Sequence, residues 1–259
     1  MGRAPGDDLS FDQGAAVDPG GAPVVPGEVD LRTRIDLRDP VAPALDDLEL
    51  LGRNHVADQG VAGGDFVDVV RATWGTALTI GDVCGKGHSV ANDAGAARLT
   101  LRRLMSADPN PAAALAALNS LLSPAAQPGP VRGHDARYVT AVAAAVRTSR
   151  LGRDVTVAVG GHPRPLVLRR AGRTEIMGST GPIIGWFADG RFTTMTCPLW
   201  PGDTLVLYTD GCLGTEGADE GRLARSMARL TTAPLAEIAG VLEADLTTDD
   251  AAFLLARVR

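Results

Sequence analysis

Cysteine is scarce in this 259-residue chain, and its placement excludes more than its number does. Cys84, Cys197 and Cys212 are odd in count, widely spaced and in no CxxC pair, so neither a disulfide framework nor a zinc site is expected and all three read as free thiols. Basic charge is also short. The chain has 25 Lys and Arg against 31 Asp and Glu, a net charge of −6 with no basic stripe, which argues against nucleic acid as a partner. Lys86 is the only lysine. Aromatics are 4% of the residues, and Trp74, Trp186 and Trp200 lie too far apart in sequence to suggest a stacking platform. Long apolar runs are missing: the stretch from Tyr138 to Val146 falls well short of the roughly 20 residues that cross a bilayer. The N-terminal Met1-Gly-Arg-Ala-Pro-Gly-Asp-Asp has no apolar core of a secretory leader. No membrane partner is expected, and the cytoplasm is the expected compartment.

What is present suits a packed globular core, with 45% hydrophobic and 22% charged residues. Residues 1–30 are rich in Gly, Pro and Asp and read as a disordered tail, because they hold too little apolar surface to offset ordering entropy. Residues 31–47 read as a linker or first strand, and 48–259 as the folded domain. Phe66–Thr73 and Thr76–Val83 read as a hairpin around Trp74-Gly75. Helical spacing follows over Ser89–Met105, and Pro111–Leu122 has Pro111 in the first turn of a second helix. Strands are expected over Tyr138–Thr148, Asp154–Val159, Pro165–Arg169, Thr174–Met177, Phe192–Cys197 and Thr204–Tyr208. Helices are expected over Leu223–Leu230 and Pro234–Leu246, before a last apolar strand at Ala251–Val258. Runs of strands and runs of helices indicate a layered α+β fold. The arginines Arg98, Arg102 and Arg103 read as a solvated helix face, with an acidic partner for that face as the alternative.

The chemistry lies in the acids. Asp65, Asp82, Asp210 and the pair Asp249-Asp250 each stand where a strand meets a turn, with glycine beside the first three. A single Asp in such a turn is an ordinary backbone cap. Four such places let carboxylates from distant segments converge, and converging carboxylates repel unless cations lie between them. Oxygen ligands without His or Cys suit Mg²⁺ or Mn²⁺. Asp203, in Trp200-Pro-Gly-Asp-Thr, is the contrast and reads as structural. Gly85-Lys86-Gly87 lacks Walker A spacing.

As an ordered set, Gly63-Gly-Asp-Phe-Val-Asp68, Ile80-Gly-Asp-Val-Cys-Gly-Lys-Gly87, Gly161-His-Pro-Arg-Pro-Leu166, Leu205-Val-Leu-Tyr-Thr-Asp-Gly211 and Asp249-Asp250 resemble the motifs of the SpoIIE-type branch of PPM metal-dependent protein Ser/Thr phosphatases. The resemblance implies a four-layer α-β-β-α sandwich of two antiparallel sheets flanked by helices, with two divalent cations, Mn²⁺ or Mg²⁺, at one end. It implies Asp65, Asp82, the Val83 backbone carbonyl, Asp210 and one of the terminal pair as metal ligands, Asp249 being favoured over Asp250. Asp65, Asp82 and Asp210 would thus serve catalysis through bound metals and water, in hydrolysis of phosphoserine or phosphothreonine without a covalent phosphoenzyme. The implied partner is a phosphorylated protein, of which an anti-sigma-factor antagonist in bacterial partner switching is one candidate. Lys86 and His162 are candidate substrate-binding residues. Val67, Gly214 and Ala251-Ala252 depart from the family pattern, and Cys84 stands where eukaryotic relatives carry a candidate general-acid His. The departures at Val67, Gly214 and Ala251-Ala252 keep open a non-catalytic module of the same fold that regulates a protein partner, and a metal-dependent hydrolase of a small phosphorylated molecule is a third reading.

Overall fold

The computed structural model describes residues 47–56, 63–85, 88–123, 138–150, 152–213, 219–244 and 250–259, without the His88 side chain. The expected tail and the linker up to residue 46, together with Lys86 and Asp249, lie outside the described residues. In chain order the elements are β1 (Leu48–His55), β2 (Asp65–Ala72), β3 (Gly75–Val83), α1 (His88–Ala107), α2 (Pro111–Leu122), β4 (Val139–Ser149) and β5 (Gly152–Gly160). There follow β6 (Leu166–Arg169), β7 (Arg173–Ile176), β8 (Thr194–Leu199), β9 (Thr204–Tyr208), α3 (Glu220–Met227), α4 (Leu235–Glu243) and β10 (Ala251–Val258).

Two antiparallel five-stranded sheets stack face to face, in the orders β2-β3-β4-β5-β8 and β1-β10-β9-β6-β7. Strand β4 shows why the layers form. Its Val142, Ala144 and Val146 enter the core between the sheets, while Ala141, Ala143 and Ala145 face α1 and α2. Period-2 alternation puts bulk on one face, and alanine on the other lets the helices approach closely. Strand β10 repeats the division, sending Leu254 and Val258 between the sheets and Phe253 and Leu255 toward α3 and α4. The result is the expected α-β-β-α sandwich. Asn110 caps α2, accepting from the Ala113 N–H at 3.1 Å, and Pro111 opens the first turn where no donor is needed.

The structure adds strand β1, which pairs with β10 along its whole length although no alternation marks it in the sequence. It also overturns the solvated reading of the α1 arginines. Arg102 grips Asp68 of β2 with two hydrogen bonds, Nε to Oδ2 at 2.7 Å and Nη2 to Oδ1 at 2.5 Å. Arg98 stands 3.6 Å from the same carboxylate, whose side chain has no exposed surface. Arg103 alone of the three is exposed. The pair fixes α1 against the sheet, and removing Arg102 leaves the buried Asp68 carboxylate to the more distant Arg98. Arg102→Met is therefore expected to cost about 3 kcal/mol or more of stability, read from urea unfolding; a loss within a few tenths would show that the pair does not anchor the helix.

Candidate active site

The β2–β3 pairing sets Asp65 directly opposite Asp82, so the two carboxylates stand side by side on one face at the sheet's end. Gly63 and Gly64 let other segments close in. A methyl group on Gly64 would lie 2.6 Å from the Val83 carbonyl oxygen and 2.8 Å from Asp82 Oδ1. One on Gly63 would lie 2.5 Å from Asp250 Oδ2, so the absence of side chains there is a condition of the approach. Asp210 arrives from the other sheet, opening a short 3₁₀ turn (Asp210–Leu213) directly after β9 and Thr209. Asp250 precedes β10, whose Ala252 N–H donates to Thr209 Oγ1 at 2.8 Å.

Thr209 joins the sheets. Its hydroxyl donates to Asp65 Oδ2 at 2.8 Å while its backbone N–H donates to the Ala252 carbonyl at 2.9 Å. Asp65 is buried, and that burial pushes its carboxyl up to about 8. The Asp82 carboxylate adds to the rise, the Thr209 hydrogen bond opposes it, and Asp210 and Asp250 raise it further. Three acids from three other chain segments thus act electrostatically on Asp65. The Cys84 thiol is raised by burial and then by Asp82 and Asp210, which places it beside the same cluster. Cys212, the buried residue of the 3₁₀ turn, is pushed up to about 12 by burial, with Asp65 the next cause.

The remaining candidates are placed as follows. His162 is 3% exposed, with Nδ1 2.8 Å from the Thr140 hydroxyl, and Thr140 lies opposite Asp82 in the β3–β4 register. Burial lowers its imidazole to about 3, against a weaker opposing contact with the Tyr208 carbonyl, so it is neutral at physiological pH. Arg164, from the same Gly-His-Pro turn, donates through its backbone N–H and Nε to Glu220 of α3 at 2.6 and 2.7 Å. Asp203 is held apart from the cluster by Arg169 Nη1 at 2.9 Å, the Arg170 N–H at 2.9 Å and the Trp200 N–H at 3.1 Å, which is the structural role its turn suggested.

The donors fit hard divalent cations. They are carboxylate oxygens and one backbone carbonyl, and burial together with the neighbouring carboxylates keeps a proton on Asp65 unless another positive charge replaces it. Among the described residues no three Asp, Glu, His or Cys side chains gather tightly enough to enclose an ion by themselves. The fit therefore rests on donor chemistry and convergence.

Thr209 was not singled out from the sequence, although it directly precedes Asp210. Because it orients Asp65, Thr209→Val is expected to weaken cation binding about 10- to 100-fold while Thr209→Ser retains it, as read by metal titration of the melting temperature. Equal affinity in the Val variant would remove the positioning role.

The family profile described as "Stage II sporulation protein E (SpoIIE)" matches residues 73–259, well over half of the chain. The chain belongs to the SpoIIE family. Its fold is shared with solved bacterial phosphatase domains. The RsbU and RsbW domains of a Mycobacterium tuberculosis protein align with a TM-score of 0.68 at 23% identity, covering 82% of this chain and 60% of that one. The PP2C phosphatase domain with a regulatory fragment of SpoIIE from Bacillus subtilis aligns at 0.64 and 16% identity, covering 82% and 63%. RsbX, solved in complex with magnesium, aligns at 0.64 and 14% identity, covering 83% and 96%. This SpoIIE-family chain thus spans about 60% of the length of the Mycobacterium tuberculosis chain it matches. No curated protein sequence matches it. Among the described residues no helix is long and apolar enough to cross a membrane.

Proposed function

We propose that the chain is a metal-dependent protein serine/threonine phosphatase. The observation that carries this reading is the convergence of Asp65, Asp82, Asp210 and Asp250 from four segments, with Asp65 raised to about 8 by burial and by its neighbours. Membership of the SpoIIE family supports it, as does the shared fold of phosphatase domains. Asp65, Asp82, Asp210, the Val83 carbonyl and one of the terminal pair, Asp249 being favoured over Asp250, would hold two divalent cations, Mn²⁺ or Mg²⁺. Bound there, such cations polarise a phosphoryl group and lower the pKa of water toward neutrality.

The chain's own residues would do the rest. Thr209 orients Asp65, and the glycines at 63 and 64 let Asp250, Asp82 and the Val83 carbonyl close in on the site. Lys86, two residues beyond Cys84, would hold the substrate anion. His162, buried and neutral, would serve the site by holding Thr140 rather than by moving protons. Cys84 keeps its thiol proton at neutral pH because its pKa is raised. The substrate would be a phosphorylated protein in the cytoplasm, with an anti-sigma-factor antagonist as the candidate partner.

Phosphate release from matched phosphoserine, phosphothreonine and phosphotyrosine peptides and from a sugar phosphate tests the substrate class. The serine and threonine peptides are expected to lead by about tenfold or more in kcat/KM with either cation. Preference for the sugar phosphate would replace a protein substrate with a small one.

A further inference from the structure

Aromatic side chains that the sequence scatters come together beside the carboxylate cluster. Val83 pairs with Val139, and Val139 exchanges two backbone hydrogen bonds with Ile184, at 3.1 and 3.0 Å. The next residues along carry rings. The Cys84 N–H donates to the Tyr138 carbonyl at 3.0 Å, the Tyr138 ring lies 4.7 Å from that of Trp186, and Trp186 is 6.3 Å from Phe187. Trp186 is 51% exposed and Phe187 54%.

The segment that presents them is pinned. Asn119 of α2, 1% exposed, accepts from the Gly185 N–H at 2.8 Å and donates to the Phe187 carbonyl at 2.9 Å, so one buried amide brackets both rings. The Trp186 N–H reaches the Ile183 carbonyl at 3.3 Å and the Gly190 N–H the Phe187 carbonyl at 3.1 Å. A buried polar side chain is thus committed to holding two large aromatics toward solvent. Such rings bury much area on contact, and Trp is prominent among residues that carry binding energy. Exposed aromatic surface of this kind marks an interaction site.

We propose that Tyr138, Trp186 and Phe187 form a recognition ledge for the substrate polypeptide, selecting phosphorylated segments that carry a large apolar side chain within a few residues of the phosphate. The proposal rests on the phosphatase reading above. The occupant is an extended segment of a protein substrate, because the ledge begins one residue from the Val83 carbonyl. A phosphorylated side chain held at the carboxylates lays its flanking residues across these rings. Their faces are apolar, so the matching flank is apolar. Contact remote from the reacting phosphate then contributes binding energy that a free phosphate ester cannot supply.

The test compares wild type, Trp186→Ala and Trp186→Tyr on two phosphoserine peptides that differ only in Leu or Gly at the flanking position. It reads kcat/KM and the anisotropy of labelled peptide, with p-nitrophenyl phosphate as the small substrate. Wild type is expected to prefer the Leu peptide by about tenfold, and Trp186→Ala to cut that ratio to about twofold or less, chiefly through KM, while Trp186→Tyr keeps most of it. No preference in wild type, or an unchanged ratio in Trp186→Ala, overturns the ledge. If wild type hydrolyses none of the three substrates with any cation, the phosphatase reading fails, and anisotropy still decides the ledge by the same Leu-to-Gly ratio. A dimer lost in Trp186→Ala by sedimentation, with the peptide ratio unchanged, overturns it in favour of self-association.

Discussion

Mn²⁺ or Mg²⁺ added to the metal-free protein is expected to raise its melting temperature and to expel a proton as it binds. A ligand at about 100 times its Kd stabilises the folded state by about 2.7 kcal/mol, and a chain of this size shifts by about 2–4 °C per kcal/mol, so a rise of about 5–10 °C is expected. The proton comes from Asp65. Its carboxyl is raised from 3.8 to about 8 by burial and by Asp82, Asp210 and Asp250, so without metal it is largely protonated at pH 7. Between those two values the folded chain holds a proton that the unfolded chain has lost. The contribution of this group to stability is therefore complete below about pH 4, falls as pH rises, and is exhausted above about pH 8. Asp65→Asn removes that slope along with the metal-induced shift. Calorimetric titration in two buffers of different ionisation heat reads the expelled proton directly, and identical heats would show that no carboxyl in the cluster gives up a proton to the cation.

Loss of one ligand is expected to separate activity from stability. Asp82→Asn and Asp210→Asn should each lower kcat/KM for phosphate-ester hydrolysis at least about a thousandfold, or about 4 kcal/mol of transition-state stabilisation. The melting temperature of either variant without metal should be unchanged or higher. The Asp82 carboxylate repels that of Asp65, and the amide in Asp82→Asn exerts no such repulsion. Far-ultraviolet circular dichroism with thermal melts checks the fold, and phosphate release checks the activity. A variant that keeps wild-type activity would strike that residue from the ligand set; one that unfolds would show a structural role instead.

Much of this architecture was legible in the sequence because local rules and tertiary packing agree there. Strands β9 and β10 and helix α2 fall on the expected residues, since a continuous apolar run, a Thr-Asp-Gly turn and an Asn-Pro cap each permit one local structure. Strand β1 was not legible. Its buried residues follow no alternation, and its strand form depends on β10 as a neighbour. The α1 arginines were misread for a related reason. Helical spacing shows that Arg98 and Arg102 share a face, but only the fold shows Asp68 buried beneath it. Around the acids, the sequence showed strand ends and glycines. It could not show that Asp65 and Asp82 are register partners, that Asp250 lies against Gly63, or that the Thr209 hydroxyl bridges the sheets to Asp65. The aromatic group around Trp186 was hidden because its members share no motif and meet only through the Val139–Ile184 bridge.

The most direct test of the central claim is phosphate release from p-nitrophenyl phosphate and a phosphoserine peptide by the purified protein. It is run with Mn²⁺, with Mg²⁺ and with chelator, alongside Asp82→Asn. Turnover that appears with cation, stops with chelator, returns on re-addition and is missing in the variant is the result the account predicts. A well-folded protein that turns over neither substrate with either cation, or one whose turnover is indifferent to chelator, would contradict it.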